Sequence, residues 1–342
     1  MRILYGINGE GMGHAMRSAE IIKGLSKNNE IKIVAGGKAA NHLKKIAGLK
    51  EVSYLSFVTK NGKVNSLKTF FVNLLKLPFF LYYLFTILIE CIIKRPKVII
   101  TDFEPLSAYT GLILRIPVIS FDNQHIITDT KIPNNKEKSS KFLYKIIVHL
   151  MVPFPKEKII TSFFYPKVLT KNAVLVSPVI REIITKQKIK EGGELVVYLS
   201  IKNDLVLKTL EKSKNKCIIY GKTNLKSSKF IKIKNFDEEQ FAHDMANARA
   251  VICNAGMTTL SEAIYLKKPV LCIPVSGQIE QEINAHYLQK IGYGSSKSEI
   301  NKKIIKEFLN NLDVYRANLR KANFSNNKIL ETIKRAIKRI IS

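Results

Sequence analysis

The residues best equipped for chemistry fall in two loops. The denser group lies in Val251-Ile252-Cys253-Asn254-Ala255-Gly256-Met257-Thr258-Thr259-Leu260-Ser261-Glu262, where an apolar strand runs into a small-residue turn and then a helical pattern. The spacing predicts a helix that begins at the hydroxyls of Thr258 and Thr259, with Glu262 in its first turn. Such a helix start offers N–H groups and a positive dipole end to a diphosphate, while a nearby carboxylate accepts both hydroxyls of a ribose. The next apolar run ends at Pro274 and is followed by Gln278, Glu280 and Gln281, side chains suited to the hydroxyls of a sugar. An ordinary helix cap accounts for Thr259 and Glu262, but it leaves the loop after Pro274 unexplained.

The second group opens the chain. After the apolar run Arg2–Ile7 come Asn8-Gly9-Glu10-Gly11-Met12-Gly13-His14, leading into a helix through Leu25. Gly9, Gly11 and Gly13 let a bulky ligand approach the backbone at a helix start, although the spacing is GxGxG and not the GxGxxG of dinucleotide sites. A tight turn explains the glycines alone. His14 adds a group that can take a proton near neutral pH. Asp102 and Glu104 flank Phe103 at the end of another strand, a near miss for the DxD pattern that holds a divalent ion on a diphosphate. The chain has no DxD, and the helix start in the other half already suits the diphosphate. We therefore expect no metal and no other cofactor, with Asp102 or Glu104 orienting His14 or touching the acceptor.

These loops must be held by a scaffold. Short β-branched runs at Arg2–Ile7, Ile31–Ala35, Val98–Thr101, Pro117–Phe121, Lys158–Ser162 and Ala173–Ser177 alternate with helical segments, and a second series follows at Leu195–Ser200, Cys217–Tyr220, Ala250–Cys253 and Pro269–Ile273. Strands alternating with helices give βαβ units and mostly parallel sheets, whose ligands sit beyond the carboxyl ends of the strands. The expected division is residues 1–164, a linker at 165–192, residues 193–325, and a helix at 326–342 that crosses back to the first domain. The 342 residues carry 56 Lys+Arg against 27 Asp+Glu, a formal charge of +29, which draws the chain toward anionic partners. The aromatics are not interleaved with the lysines and no nucleic-acid-binding motif is present, so nucleic acid is not an expected partner. Cys91, Cys217, Cys253 and Cys272 stand singly in apolar runs, a pattern of core residues and not of disulfides or zinc ligands.

Residues 69–93 depart from the alternation: TFFVNLLKLPFFLYYLFTILIECII is apolar on every face. Pro78 and Glu90 argue against a membrane span, which would also split the first sheet. A helix lying on an anionic membrane surface and a buried helix pair both remain open, and the lysine excess favours the first. No charged, apolar and small-residue leader precedes the first strand, so the expected location is the cytoplasm, peripheral to the inner face of the cell membrane.

The pattern Gly256, Thr259, Glu262, Pro269, Pro274, Gln281, Asn284-Ala285 and Gly292 resembles the donor-site signature of GT-B glycosyltransferases. The similarity is greatest to the group of the peptidoglycan lipid-linked N-acetylglucosaminyltransferase and the UDP-glucuronosyltransferases. The first loop, with Thr101–Pro105 and Phe121–His125, resembles a branch of archaeal and bacterial glycosyltransferases. The resemblance implies an α/β GT-B fold, two Rossmann-like domains with mostly parallel sheets facing an interdomain cleft. It implies that Glu262 binds the ribose of a nucleotide-diphospho-sugar, that Gly256, Thr258 and Thr259 lie at the diphosphate, and that Glu280 and Gln281 face the sugar. It also implies that Phe236 lies against the base and that Ser200 lies near phosphate, with Lys202 in place of a glycine-rich loop. Gly11, Gly13, Asp102, Glu104, Asn123, Gln124 and His125 fall on the acceptor side. The implied activity is inverting transfer from a UDP-sugar to a glycan or lipid-linked hydroxyl, with His14 as the base. A UDP-sugar 2-epimerase on the same fold, or a non-catalytic basic binding protein, are the alternatives. Replacing Glu262 with Ala is expected to weaken nucleotide binding and spare the fold.

Overall fold

A computed structural model describes the chain except for residues 45, 47, 57, 61–62, 65, 133–137, 200–202, 222 and 225. It forms two units. The first comprises Met1–Val58, Asn65–Val179 and Ser325–Ser342; the second comprises Thr59–Val64 and Ile180–Phe324. The strands, in chain order, are β1 (Arg2–Ile7), β2 (Glu30–Ala35), β3 (Leu49–Glu51), the hairpin β4 (Thr59–Lys60) and β5 (Lys63–Val64), β6 (Val98–Asp102), β7 (Val118–Asp122), β8 (Glu157–Thr161) and β9 (Ala173–Val176). They continue with β10 (Leu195–Tyr198), β11 (Cys217–Tyr220), β12 (Ile231–Lys234), β13 (Ala250–Cys253), β14 (Val270–Cys272) and β15 (Gly294–Ser296).

The first unit is built on a seven-stranded sheet ordered β3-β2-β1-β6-β7-β8-β9, with every pairing parallel. Its central strands are covered on both faces, which is why they read as continuous β-branched runs. Alternation along β1 sends Ile3, Tyr5 and Ile7 into one core and Leu4 into the other. The helix Asn326–Ile341 belongs to the first of these cores through Ile329, Ile333, Ala336 and Ile337. It lies against the helix Met12–Leu25, so close that a Cβ on Gly24 would come within 2.5 Å of Leu330. Arg339 adds an ion pair to Glu157. The stretch 165–192 is not simply a linker. Its Ala-Val-Leu-Val run forms β9, paired with β8, so the first unit extends to Val179.

Residues 69–93 fold as parts of two helices, Ser66–Leu75 and Leu77–Lys94. Pro78 falls in the first turn of the second, where its missing N–H has no intrahelical acceptor to lose. Of Leu77–Lys94 only Ile87 and Cys91 are fully buried. Phe80, Tyr83 and Leu84 pack partly against the sheet's second core, and Glu90 pairs with Lys32 and Lys50 at 3.0 and 3.2 Å. Most of the remaining large apolar side chains are exposed, among them Phe79 at 63% and Tyr82 and Phe85 at 62%. The segment is therefore not a buried helix pair. By length and composition, Leu77–Lys94 is the one described helix apolar enough to cross a membrane. Pro105–Leu114 packs against Leu77–Lys94, and Lys138–Met151 against Pro105–Leu114; these helices also carry exposed apolar side chains, Leu112 and Ile113 on the first and Phe142, Leu143, Ile146 and Leu150 on the second.

The second unit carries a six-stranded sheet ordered β12-β11-β10-β13-β14-β15, again parallel throughout. Strand order reverses between β1 and β6 in one sheet and between β10 and β13 in the other, the places where crevices open at the carboxyl edge. All four cysteines are buried thiols without disulfides.

Candidate functional site

In the first unit, the loop after β1 is tied to the loop after β6. Asn8 donates its backbone N–H to Asp102 O (3.1 Å) and its side-chain amide to Phe103 O (3.0 Å). Gly11, with φ of 83° and no atom within 4 Å of where a Cβ would stand, turns the chain into the helix Met12–Leu25. No side chain caps that helix. Gly13 and His14 are its second and third residues, which aims the imidazole back at the strand ends.

His14 Nδ1 lies 2.8 Å from Asp102 Oδ1. Asp102 is fully buried and also accepts from Arg17 Nε (2.7 Å), from Arg17 Nη2, and from Ser18 Oγ (2.9 Å). Burial alone would raise its pKa, but Arg17 and His14 outweigh that penalty and hold it down at about 2. An ionised carboxylate only accepts, so in the tautomer that donates to Asp102 the imidazole carries its proton on Nδ1 and its lone pair on Nε2. Arg17 also stands 2.9 Å from Nδ1 and shares the same carboxylate.

Glu104 faces another way. Phe103, with φ of 55°, reverses the backbone after β6, and both Glu104 oxygens accept from the N–H groups of Leu106 and Ser107 (2.8 and 2.7 Å) as the N-cap of Pro105–Leu114. Burial pushes this carboxyl up to about 7, with those N–H bonds opposing. Asp102 and Glu104 thus do not converge, and among the described residues no three His, Cys, Asp or Glu side chains form a metal-ligand group. Asn123, Gln124 and His125 are all buried. Asn123 donates to Thr161 O (2.7 Å), and His125 Nδ1 pairs with Asp122 at 2.7 Å, so in this structure they brace the turn after β7.

In the second unit the helix Met257–Tyr265 begins one residue before Thr258, with Gly256 as N-cap and no side-chain cap. Thr258 and Thr259 are its second and third residues. Glu262 is therefore in the second turn and not the first, because the helix starts earlier than the hydroxyls suggest. A Cβ on Gly256 would meet nothing within 4 Å, so the helix start has open space before it. Glu262 is 1% exposed and holds Arg181 bidentately, Nε to Oε1 at 2.6 Å and Nη2 to Oε2 at 2.9 Å, while Arg181 Nη1 reaches Glu238 at 2.8 Å. The expectation that Glu262→Ala spares the fold is corrected by this geometry: it would strand a buried guanidinium.

Phe236 follows β12 as the exposed member of an aromatic cluster, 5.8 Å from Tyr198 and 5.3 Å from Phe241 between ring centroids. Glu280 is half-buried at the start of the helix Ile279–Lys290. Gln281 is buried, accepts from Val275 N–H (2.9 Å) and donates to Gln278 (2.5 Å), so it shapes the loop after β14. Asn284 donates to Ala255 O at 3.0 Å and ties that helix to the turn after β13. Ser200 and Lys202 lie outside the described residues. Sequence reasoning missed Arg17 and Arg181. Arg17 was findable, since it stands three residues after His14 on one helix face; Arg181 was not, since its partner is 81 residues away.

Comparison with known proteins agrees with this architecture. Residues 1–313 match the family described as Glycosyl transferase family 1. A UDP-N-acetylglucosamine–N-acetylmuramyl-(pentapeptide) pyrophosphoryl-undecaprenol N-acetylglucosamine transferase of Bacillus thuringiensis is 29% identical over 151 residues, 37% of this chain and 42% of that protein. The matched region thus spans about two-fifths of that relative's length. Among solved structures, Phytolacca americana UGT2 superposes with a TM-score of 0.71 at 12% identity, covering 99% of this chain and 98% of that one. Acinetobacter baumannii MurG gives 0.62 at 14%, covering 98% and 99%. The family match supports glycosyl transfer over the epimerase or the non-catalytic binding protein. The chain has the GT-B fold and belongs to glycosyl transferase family 1.

Proposed function

We propose that this protein is an inverting glycosyltransferase that moves a sugar from a UDP-sugar to a hydroxyl acceptor presented at a membrane surface. The observation that carries the reading is His14 Nδ1 lying 2.8 Å from a buried, ionised Asp102; in the tautomer that donates to this carboxylate, Nε2 is the nitrogen that takes a substrate proton. The acceptor oxygen attacks the anomeric carbon and gives its proton to Nε2, while the bond to the diphosphate breaks and its electron pair leaves with the diphosphate. The uncapped start of Met257–Tyr265 receives that developing charge without a metal. Glu262 accepts the ribose hydroxyls beside Arg181, and Phe236 offers a ring face to the base.

The exposed aromatics of Ser66–Leu75 and Leu77–Lys94 support a membrane-bound acceptor, since rings settle at the headgroup level and lysines meet the phosphates. The pyrophosphoryl-undecaprenol in the relative's name is an acceptor of that kind. Such an enzyme works at the cytoplasmic face of the membrane. The test is a thermal-shift screen of nucleoside diphosphates, followed by turnover of the sugar conjugates of those that bind. We expect UDP to raise the melting temperature, EDTA to leave turnover intact, and His14→Ala to cut turnover by ~10²–10⁴ with donor affinity unchanged. Near-normal turnover in His14→Ala would overturn the assignment of the base.

A further inference from the structure

At the amino ends of the second sheet, at the edge opposite the loops after β13 and β14, lies a cavity of about 160 Å³. One water needs far less. Its polar lining is Arg249, Lys267, Lys268, Arg316 and Arg320 against the single carboxylate of Glu191. Parallel pairing explains the clustering: Arg249 immediately precedes β13 and Lys267-Lys268 precede β14, so both arrive at the same edge. From Arg249 to Asn254, at the opposite edge, is ~16 Å along the strand, which separates this cavity from the donor residues.

The cations are only partly neutralised. Lys268 is buried, its Nζ donating to Lys190 O, and Lys267 Nζ donates to Ala322 O. Burial lowers Lys268 to about 8, and repulsion from Arg316 adds to the fall while Glu191 opposes it. Arg316 divides itself between Asp313 at 3.1 Å and Glu191 at 3.6 Å. Among the described residues, Arg249 and Arg320 have no carboxylate partner. A roomy pocket that gathers five cations is suited to multivalent oxyanions, which arginine forks grip through paired hydrogen bonds.

We propose that this cavity is a second anion site, separate from the donor site, that takes a phosphate or diphosphate group from a soluble molecule or a lipid headgroup. The test uses the full chain and the double variant Arg249→Gln/Arg320→Gln, whose side chains hold no ion pair. A control, Lys302→Gln/Lys306→Gln, removes the same charge from an exposed helix face. In calorimetric titration with inorganic pyrophosphate, the double variant is expected to bind at least ~10-fold more weakly, or ~1.4 kcal/mol, and the control to bind like the parent. In flotation with phosphatidylcholine vesicles containing phosphatidylglycerol, a loss confined to the double variant identifies a headgroup as a source. Unchanged flotation with weakened pyrophosphate binding identifies a soluble one. If neither probe separates the double variant from the control, the site does not exist.

Discussion

Asp102→Asn is the most informative single change in the first unit. The carboxylate receives two donors on each oxygen, His14 Nδ1 and Arg17 Nη2 on Oδ1, and Arg17 Nε and Ser18 Oγ on Oδ2. An amide placed either way turns an NH₂ toward two of those donors and leaves the buried, still charged Arg17 without its counter-charge. Breaking one partner of a buried pair costs ~3–5 kcal/mol, and each kcal/mol lowers the melting temperature of a unit this size by ~2–4 °C. A fall of roughly 6–20 °C at pH 7 follows from those two figures. The pH dependence has a definite sign. Because Asp102 has its pKa lowered from 3.8 to about 2, its stabilisation is complete above the unfolded value and is lost as pH falls through about 2. At ~1.4 kcal/mol per unit, that part is on the order of 2–3 kcal/mol. Urea unfolding of both proteins between pH 7 and pH 2 tests this, and the gap should narrow only below about pH 4. A melting temperature within a degree or two of the parent, or a gap that stays flat into acid, would refute the network.

The remaining predictions concern the donor residues and the apolar face. Glu262→Gln keeps one acceptor oxygen and should weaken UDP binding by losing charge-assisted bonds worth ~1.5–3 kcal/mol each, read by calorimetry. Glu262→Gln and Glu262→Ala should both destabilise the second unit, because each leaves the buried guanidinium of Arg181 without this counter-charge; melting temperatures equal to the parent's would show that Arg181 does not depend on this carboxylate. Replacing Phe79, Tyr82 and Phe85 with Ser should leave the fold intact, because these rings are exposed, and should weaken flotation with anionic vesicles. With ~200 Å² per ring, about three-fifths of it exposed, full transfer of three rings is worth up to ~9 kcal/mol at ~25 cal/mol per Å². Even partial insertion therefore predicts a loss of ~100-fold or more, and unaltered flotation would remove the membrane from the function. Phe80→Ser and Tyr83→Ser serve as contrast: both rings pack against the sheet and should lower the melting temperature.

Much of this was legible because central parallel strands are buried on both faces and so spell β-branched runs. The edges were not. β12 reads Ile-Lys-Ile-Lys and β15 reads Gly-Ser-Ser; half-wet, three- or four-residue strands carry little apolar signal, and only pairing with β11 and β14 defines them. The Ala-Val-Leu-Val run of β9 was visible, but its sheet membership depends on β8. In the site, the residue types of His14, Asp102 and Glu262 declared their chemistry, whereas what each one touches did not follow from spacing. Asp102 and Glu104 stand two apart and yet serve different masters, because Phe103 takes a left-handed turn between them. The inward-facing Gln281 likewise depends on a backbone N–H of Val275 that only the folded loop supplies.

The helix Asn326–Ile341 gives the chain an order of assembly. Apart from the short hairpin, the second unit is one continuous stretch, and its residues leave the ribosome before the helix that completes the first core. At ~5–20 residues per second, synthesis of that stretch takes on the order of ten seconds. During that interval the helix Met12–Leu25 has no cover over Gly24, and a nascent first sheet waits with one side of its core open. The second unit is thus the first to be finished, and any chain released before residue 325 carries an exposed apolar seam for chaperones or proteases to find.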